Sequence, residues 1–136
     1  MSRIDRRKQR RLEIYKEIER LVEEMNWNVD LVIVEGQHDK RTLEELGYKA
    51  NTILSCSTMP FNRLVEQSSK GFSRVVILTD FDEEGEKVSK ALTSIMEERR
   101  IKVDRFYRRE FRKLLRKAGL TTIESIFKLK RELFPL

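Results

Sequence analysis

Two apolar runs, each emptying into a cluster of acids, constrain this chain more than any other feature. Val75-Val76-Ile77-Leu78 leads through Thr79 into Asp80-Phe81-Asp82-Glu83-Glu84-Gly85-Glu86. β-Branched residues dominate the run and no polar residue interrupts it, as in a parallel strand buried on both faces. Val88, Ala91, Leu92, Ile95 and Met96 follow at helical spacing, with Gly85 expected to let the backbone bend before that helix. Leu31-Val32-Ile33-Val34 repeats the pattern and ends in Glu35-Gly36-Gln37-His38-Asp39. Two such strands would be neighbours in a doubly wound sheet, on either side of the crevice where such sheets bind ligands. Carboxylates gathered there repel one another, and burying them without a cation is costly. Mg²⁺ suits such hard oxygen donors, taking one or two carboxylates and completing its shell with water and phosphate oxygens.

The rest of the chain supplies the layers around those strands. Ile14, Ile18, Leu21, Val22 and Met25 recur at helical spacing within residues 1–29. A helix is expected over Asp39–Leu46, stopped by Gly47, and a second strand over Asn51–Ser55. Ser57-Thr58-Met59-Pro60 reads as a helix start with a hydroxyl cap, leading to Leu64 and Val65 and an end at Gly71. Ser57 and Thr58 are phosphate candidates at that helix's amino end. Ile101–Phe106 is a fourth strand, and its Lys102, Asp104 and Arg105 put it at the sheet edge. Residues 108–136 read as helical, broken at Gly119-Leu120-Thr121-Thr122, with Thr121 or Thr122 capping the last helix. The expected fold is α/β: a four-stranded parallel sheet in the order 2-1-3-4, flanked by helices. A basic amphipathic helix (1–29), a core (30–107) and a basic helical extension (108–136) would form one compact domain.

Charge then says what such a domain meets. The chain has 136 residues and a formal charge of +6, which favours anionic partners such as nucleic acid. Arg3, Arg6, Arg7, Lys8, Arg10 and Arg11 face only Asp5 at the start. Arg99 to Lys117 holds ten basic residues against two acidic ones. Arg105, Arg108, Arg109, Arg112, Lys113, Arg116 and Lys117 would form a cationic surface, with Tyr107 and Phe111 interleaved. Either segment could instead be a solvated helix face. The single cysteine, Cys56, excludes an internal disulfide, and no apolar run is long enough to span a bilayer. No apolar signal segment opens the chain, so the expected location is cytoplasmic.

Glu35-Gly-x-x-Asp39 after one strand, with Asp80-x-Asp82-x-Glu84-Gly-Glu86 after a later one, resembles the Toprim domain. That domain is shared by topoisomerases, bacterial-type primases and several nucleases. The resemblance covers about residues 30–107 and is greatest to the small, single-domain kind and to the ribonuclease that matures bacterial 5S ribosomal RNA. It implies a Toprim/Rossmann-like fold, Glu35 as general acid/base, Asp39 at the edge of the site, and Asp80, Asp82 and Glu84 holding Mg²⁺, with Mn²⁺ as substitute. It departs from the family in lacking a glycine after the second strand. A receiver domain would need a later strand-end lysine, and a haloacid-dehalogenase-type phosphatase would carry Asp-x-Asp after its first strand. Topoisomerase and primase chemistry need domains that do not fit here. Metal-dependent phosphodiester hydrolysis demands least, so the expectation is a nuclease, with RNA slightly preferred over DNA. The competing class is a non-catalytic nucleic-acid-binding or RNA-processing accessory protein. A homodimer or a protein partner could complete either.

Overall fold

A computed structural model describes residues 2–49 and 52–135, and only the backbone of Thr52–Leu54. The chain runs α1 (Arg3–Asn28), β1 (Leu31–Val34), α2 (Gln37–Glu45), β2 (Thr52–Ser55), α3 (Phe61–Ser68) and β3 (Val75–Leu78). It continues through α4 (Glu83–Glu98), β4 (Val103–Asp104), α5 (Phe106–Lys117) and α6 (Ile126–Leu133). All strand pairs are parallel and the order is β2-β1-β3-β4. The sheet is three four-residue strands with a two-residue edge. The strand expected over Ile101–Phe106 shrinks to Val103–Asp104: Ile101 N still bonds back to the Met96 carbonyl of α4, and α5 has begun at Phe106. Asn51, the expected first residue of β2, lies outside the described residues.

Strand side chains alternate between faces, and the sequence fills both with aliphatics. Val32, Val34, Val76 and Leu78 pack with α1, α5 and α6 through Ile18, Val22, Phe111, Leu115, Ile126 and Leu129. Leu31, Ile33, Val75 and Ile77 pack on the other side with α3 and α4 through Leu64, Val65, Leu92 and Met96. The result is a three-layer sandwich in which both terminal segments are integral to one layer. Arg11 on α1 is drawn into that layer: its guanidinium pairs with Glu132 and donates to the Ala118 carbonyl at 3.1 Å. Arg11 thus ties α1 to the chain's end instead of projecting with the other basic residues of the amino-terminal arm. Arg3, Arg6, Arg7, Lys8 and Arg10 remain exposed.

Several local expectations shift. Ser2 and Asp5 form a capping box that starts α1. Pro60, not Ser57 or Thr58, occupies the N-cap of α3 and offers no side-chain bond. α3 closes at Ser68, short of Gly71. Before α6, Thr122 Oγ1 accepts from Ser125 N at 3.0 Å, and Ser125 takes the N-cap position. Gly47, with φ +104, follows α2 in the left-handed conformation expected of a helix-ending glycine.

Candidate active site

β1 and β3 are adjacent and in register, Val34 beside Leu78, so their carboxyl ends open at the same height. Glu35 and Asp80 therefore meet: Glu35 Oε2 accepts from Asp80 N at 3.3 Å. The Asp80 carboxyl is half-buried among like charges. Burial first, then Glu35, Asp39, Asp82 and Glu124, pushes it up to about 6.

Asp82 is the N-cap of α4, its Oδ1 accepting from Gly85 N at 2.8 Å. The residue itself is exposed. Glu84, in the first turn of α4, is also exposed and lies 3.7 Å from Lys87 Nζ. Glu84 thus sits on the solvent side of α4. Among the described residues no three acid, histidine or cysteine groups converge closely enough to hold a metal ion between them.

Gly85 proves necessary for a different reason from the one expected. It lies inside α4, and a Cβ there would come within 1.9 Å of the Asp80 carbonyl oxygen. Thr79 Oγ1 donates to the Gly85 carbonyl at 2.9 Å, clamping the strand end to the helix start. Close approach, not a bend, requires glycine here. Gly36 is the converse case. Its φ of −143 is ordinary extended backbone, and a Cβ would meet nothing closer than 3.7 Å.

Asp39 is 5% exposed and fully engaged. Its carboxylate accepts from Gly36 N at 2.9 Å and from Glu124 N at 2.8 Å, and burial raises its pKa. It pins the loop before α6 against the start of α2, so its geometry is that of a positioning residue. The same loop reaches the other acidic turn, where Phe81 N donates to the Thr121 carbonyl at 2.6 Å. Glu124, brought near Asp80 and Asp39 by this loop, was missed by sequence reasoning. No spacing or pattern ties it to motifs so far upstream.

Ser57 lies beside the acidic pair. Its backbone N donates to the Glu35 carbonyl at 2.9 Å, and its hydroxyl is 3.0 Å from Ser55 Oγ. Thr58 Oγ1 donates back to the Ser55 carbonyl at 3.2 Å. The nearby Cys56 thiol is pushed up to about 12 by burial and by Glu35.

Arg108 corrects the expected cationic surface. It is 6% exposed and belongs to the interior. One guanidinium nitrogen donates to the Ile77 and Thr79 carbonyls at 3.1 and 2.9 Å, another to the Asp80 carbonyl at 3.0 Å. It also pairs with Glu86 at 2.7 Å and lies 4.4 Å from the centre of the Phe81 ring. β4 is too short to cover this end of β3, and Arg108 takes the carbonyls a longer strand would have met. Arg112 pairs with the same Glu86 at 2.6 Å, and the two arginines hold that carboxyl down to about 2. Arg105, Arg109, Arg116 and Lys117 stay exposed, while Lys113 lies 3.2 Å from Glu110.

The Toprim domain matches residues 30–114. The chain belongs to the Toprim domain family. It is 32% identical to a UPF0292 protein of Thermococcus sibiricus, over 86% of this chain and 90% of the relative. It is likewise 32% identical to UPF0292 protein MJ1624 of Methanocaldococcus jannaschii, over 87% and 93%. A solved structure of a protein from Aquifex aeolicus superposes with a TM-score of 0.62 at 22% identity, covering 83% of this chain and 94% of that one. That likeness shows the fold. Toprim membership supports, coarsely, divalent-metal binding and nucleic-acid processing, and the strand order agrees with it. No helix among the described residues is long and apolar enough to cross a membrane.

Proposed function

We propose that this Toprim protein is a Mg²⁺-dependent nuclease, with RNA as its preferred substrate. The observation that carries the reading is the Glu35–Asp80 meeting at the ends of adjacent strands, with Asp80 raised to about 6 by burial and surrounding acids. A half-buried carboxyl so crowded is relieved by a divalent cation, and the donors present are hard oxygens. The set fits a Mg²⁺ ion held by one or two carboxylates and otherwise hydrated. Asp80 and Asp82, through the oxygen not bonded to Gly85 N, would hold it. Glu84 would reach it only by leaving Lys87. When bound, Mg²⁺ supplies positive charge against the phosphate and lowers the pKa of water.

The chain's own residues do the rest. Glu35 keeps one oxygen on Asp80 N and offers the other to a proton bound for the leaving oxygen. Asp39 and Arg108 hold the two acidic turns in place from below. The exposed cations of α1 and α5 draw the phosphate backbone to this end of the sheet.

Cleavage of mixed RNA and DNA substrates with Mg²⁺ and with Mn²⁺ tests the reading. Glu35→Gln should lose on the order of 10²-fold or more in rate while keeping nucleic-acid affinity. Equal cleavage by both proteins would remove Glu35 from its role. Glu84's exposed place beside Lys87 favours one second reading, a binding module without turnover. Wild-type protein that binds RNA but never cleaves it would establish that instead.

A further inference from the structure

The short β4 leaves a cleft where a longer edge strand would lie. It has a volume of about 480 Å³ and runs between α4 and α5, with Ile77 and Arg108 at its back. Lys90, Thr93 and Ser94 line the α4 side, and Arg105, Arg109 and Arg112 line the α5 side. Arg105 pairs with Glu97 at 2.7 Å and Arg112 with Glu86. Lys90 and Arg109 have no carboxylate within salt-bridge reach among the described residues, and both are exposed. The cleft thus presents two cations without carboxylate partners and the hydroxyls of Ser89, Thr93 and Ser94, while its acids, Glu86, Glu97 and Asp104, are each paired with an arginine.

Two further features narrow the ligand. The volume lies within the roughly 300–1,000 Å³ typical of small-ligand pockets, a nucleotide-sized space with no room for a duplex. Phe106, 44% exposed, does not line the cleft but adjoins it through Arg109, whose guanidinium lies 6.0 Å from its ring, and so leaves exposed aromatic surface at the cleft's edge. Arg108 joins the cleft to the acidic centre, since the side chain that forms its back also donates to the Asp80 carbonyl.

We infer that the α4–α5 cleft binds a phosphate-bearing nucleotide unit of single-stranded nucleic acid, with Lys90 and Arg109 on the phosphate and Phe106 at the cleft's edge as a stacking surface for a base. The inference rests on the nucleic-acid reading of the acidic site but not on turnover there. It separates the cleft's residues from Lys113 and Lys117, which lie on the flank of α5 that faces Glu17 and Arg20 of α1.

The test is binding of a fluorescent single-stranded 12-mer in EDTA across a salt series. Lys90→Ala/Arg109→Ala should lose on the order of tenfold in affinity and flatten the salt slope by about 1.4, at ~0.7 per lost contact. Lys70→Ala/Lys128→Ala, exposed residues of other elements that line no part of the cleft, removes the same charge and should stay within about twofold of wild type. Phe106→Ala should weaken binding while leaving the salt slope unchanged. Equal losses in the two double variants, or none in the first, would overturn the cleft. A duplex of the same sequence should be indifferent to Lys90→Ala/Arg109→Ala, and equal sensitivity would overturn the single-strand assignment. Displacement of the 12-mer by millimolar adenosine 5′-monophosphate would identify a free nucleotide as sufficient ligand. Its failure, with the variant's loss intact, would identify a continuous strand. Because EDTA removes the metal, this outcome is independent of the Glu35→Gln result, and either reading can fail alone.

Discussion

Asp80 and Glu86 belong to one acidic motif, yet the fold moves their carboxyls in opposite directions. Asp80, at the end of β3, has acids around it and rises to about 6. Glu86, in the first turn of α4, has two arginines on it and falls to about 2. The first is poised to take a cation or a proton, while the second has its cations already and serves the scaffold. An acidic run in sequence therefore contains two kinds of residue, distinguished by what packs behind them. Here the deciding neighbour is α5, whose Arg108 and Arg112 pair directly with the Glu86 carboxylate, while Arg108 reaches only the backbone carbonyl of Asp80.

The largest effect should come from breaking the scaffold half. Arg108→Ala leaves Glu86 with Arg112 alone and the Ile77, Thr79 and Asp80 carbonyls without the Arg108 donor. Removing one partner of a buried pair costs about 3–5 kcal/mol, measurable by urea unfolding. Arg108→Ala/Glu86→Ala should recover part of that loss. A loss below about 1 kcal/mol in the single variant would mean the pair behaves as an exposed one, and the contrast with Asp80 would lose its basis.

Gly85→Ala should come next, since its Cβ would sit 1.9 Å from the Asp80 carbonyl oxygen. Backbone must move, so we expect about 1–3 kcal/mol of destabilisation and a weaker Mg²⁺-induced rise in thermal midpoint. Wild-type behaviour of Gly85→Ala would show that the strand end and the helix start are not rigidly coupled.

pH separates the two acids directly. Between its ordinary 3.8 and about 6, Asp80 binds more protons folded than unfolded. Its contribution to stability therefore falls as pH rises through that window, and above it the charged form is a standing penalty. Glu86 has the reverse sign: its contribution is complete above 4.5 and is lost as pH falls toward about 2. In metal-free buffer Asp80→Asn should be more stable than wild type at pH 8, and the gain should fade below pH ~4. Glu86→Gln should be less stable at pH 8, with the loss fading at low pH. Matching pH profiles in the two variants would refute the division.

Much of this was legible in the sequence. The apolar runs and their acidic ends gave the strand order and the Glu35–Asp80 meeting, because buried strands and crossover connections leave few alternatives. The terminal segments were legible as helices, but their packing as one layer of α1, α5 and α6 was not. What could not be read was which charges turn inward. Arg108 and Arg109 are adjacent in a basic run, and only the short β4, with its uncovered carbonyls, makes one a core residue and the other a surface cation. Asp39 and Glu124 meet through a loop that carries no motif. Gly85 was marked as a glycine of consequence, but the close approach behind it exists only in three dimensions.

The smallest expected effect tests the boundary of the reactive half. Glu84 lies in the same motif as Asp80, and the family resemblance implies it as a metal residue, yet it is exposed beside Lys87. With little desolvation and no crowding in this position, Glu84→Gln should leave metal-free stability within about 0.5 kcal/mol of wild type. The thermal midpoint should still rise with added Mg²⁺, because binding linkage depends on the ligands that hold the ion in the folded state. Asp80→Asn/Asp82→Asn should abolish that rise. If Glu84→Gln abolishes it as completely, Glu84 swings from Lys87 into the site when the ion arrives, and the reactive half of the motif extends one turn into α4.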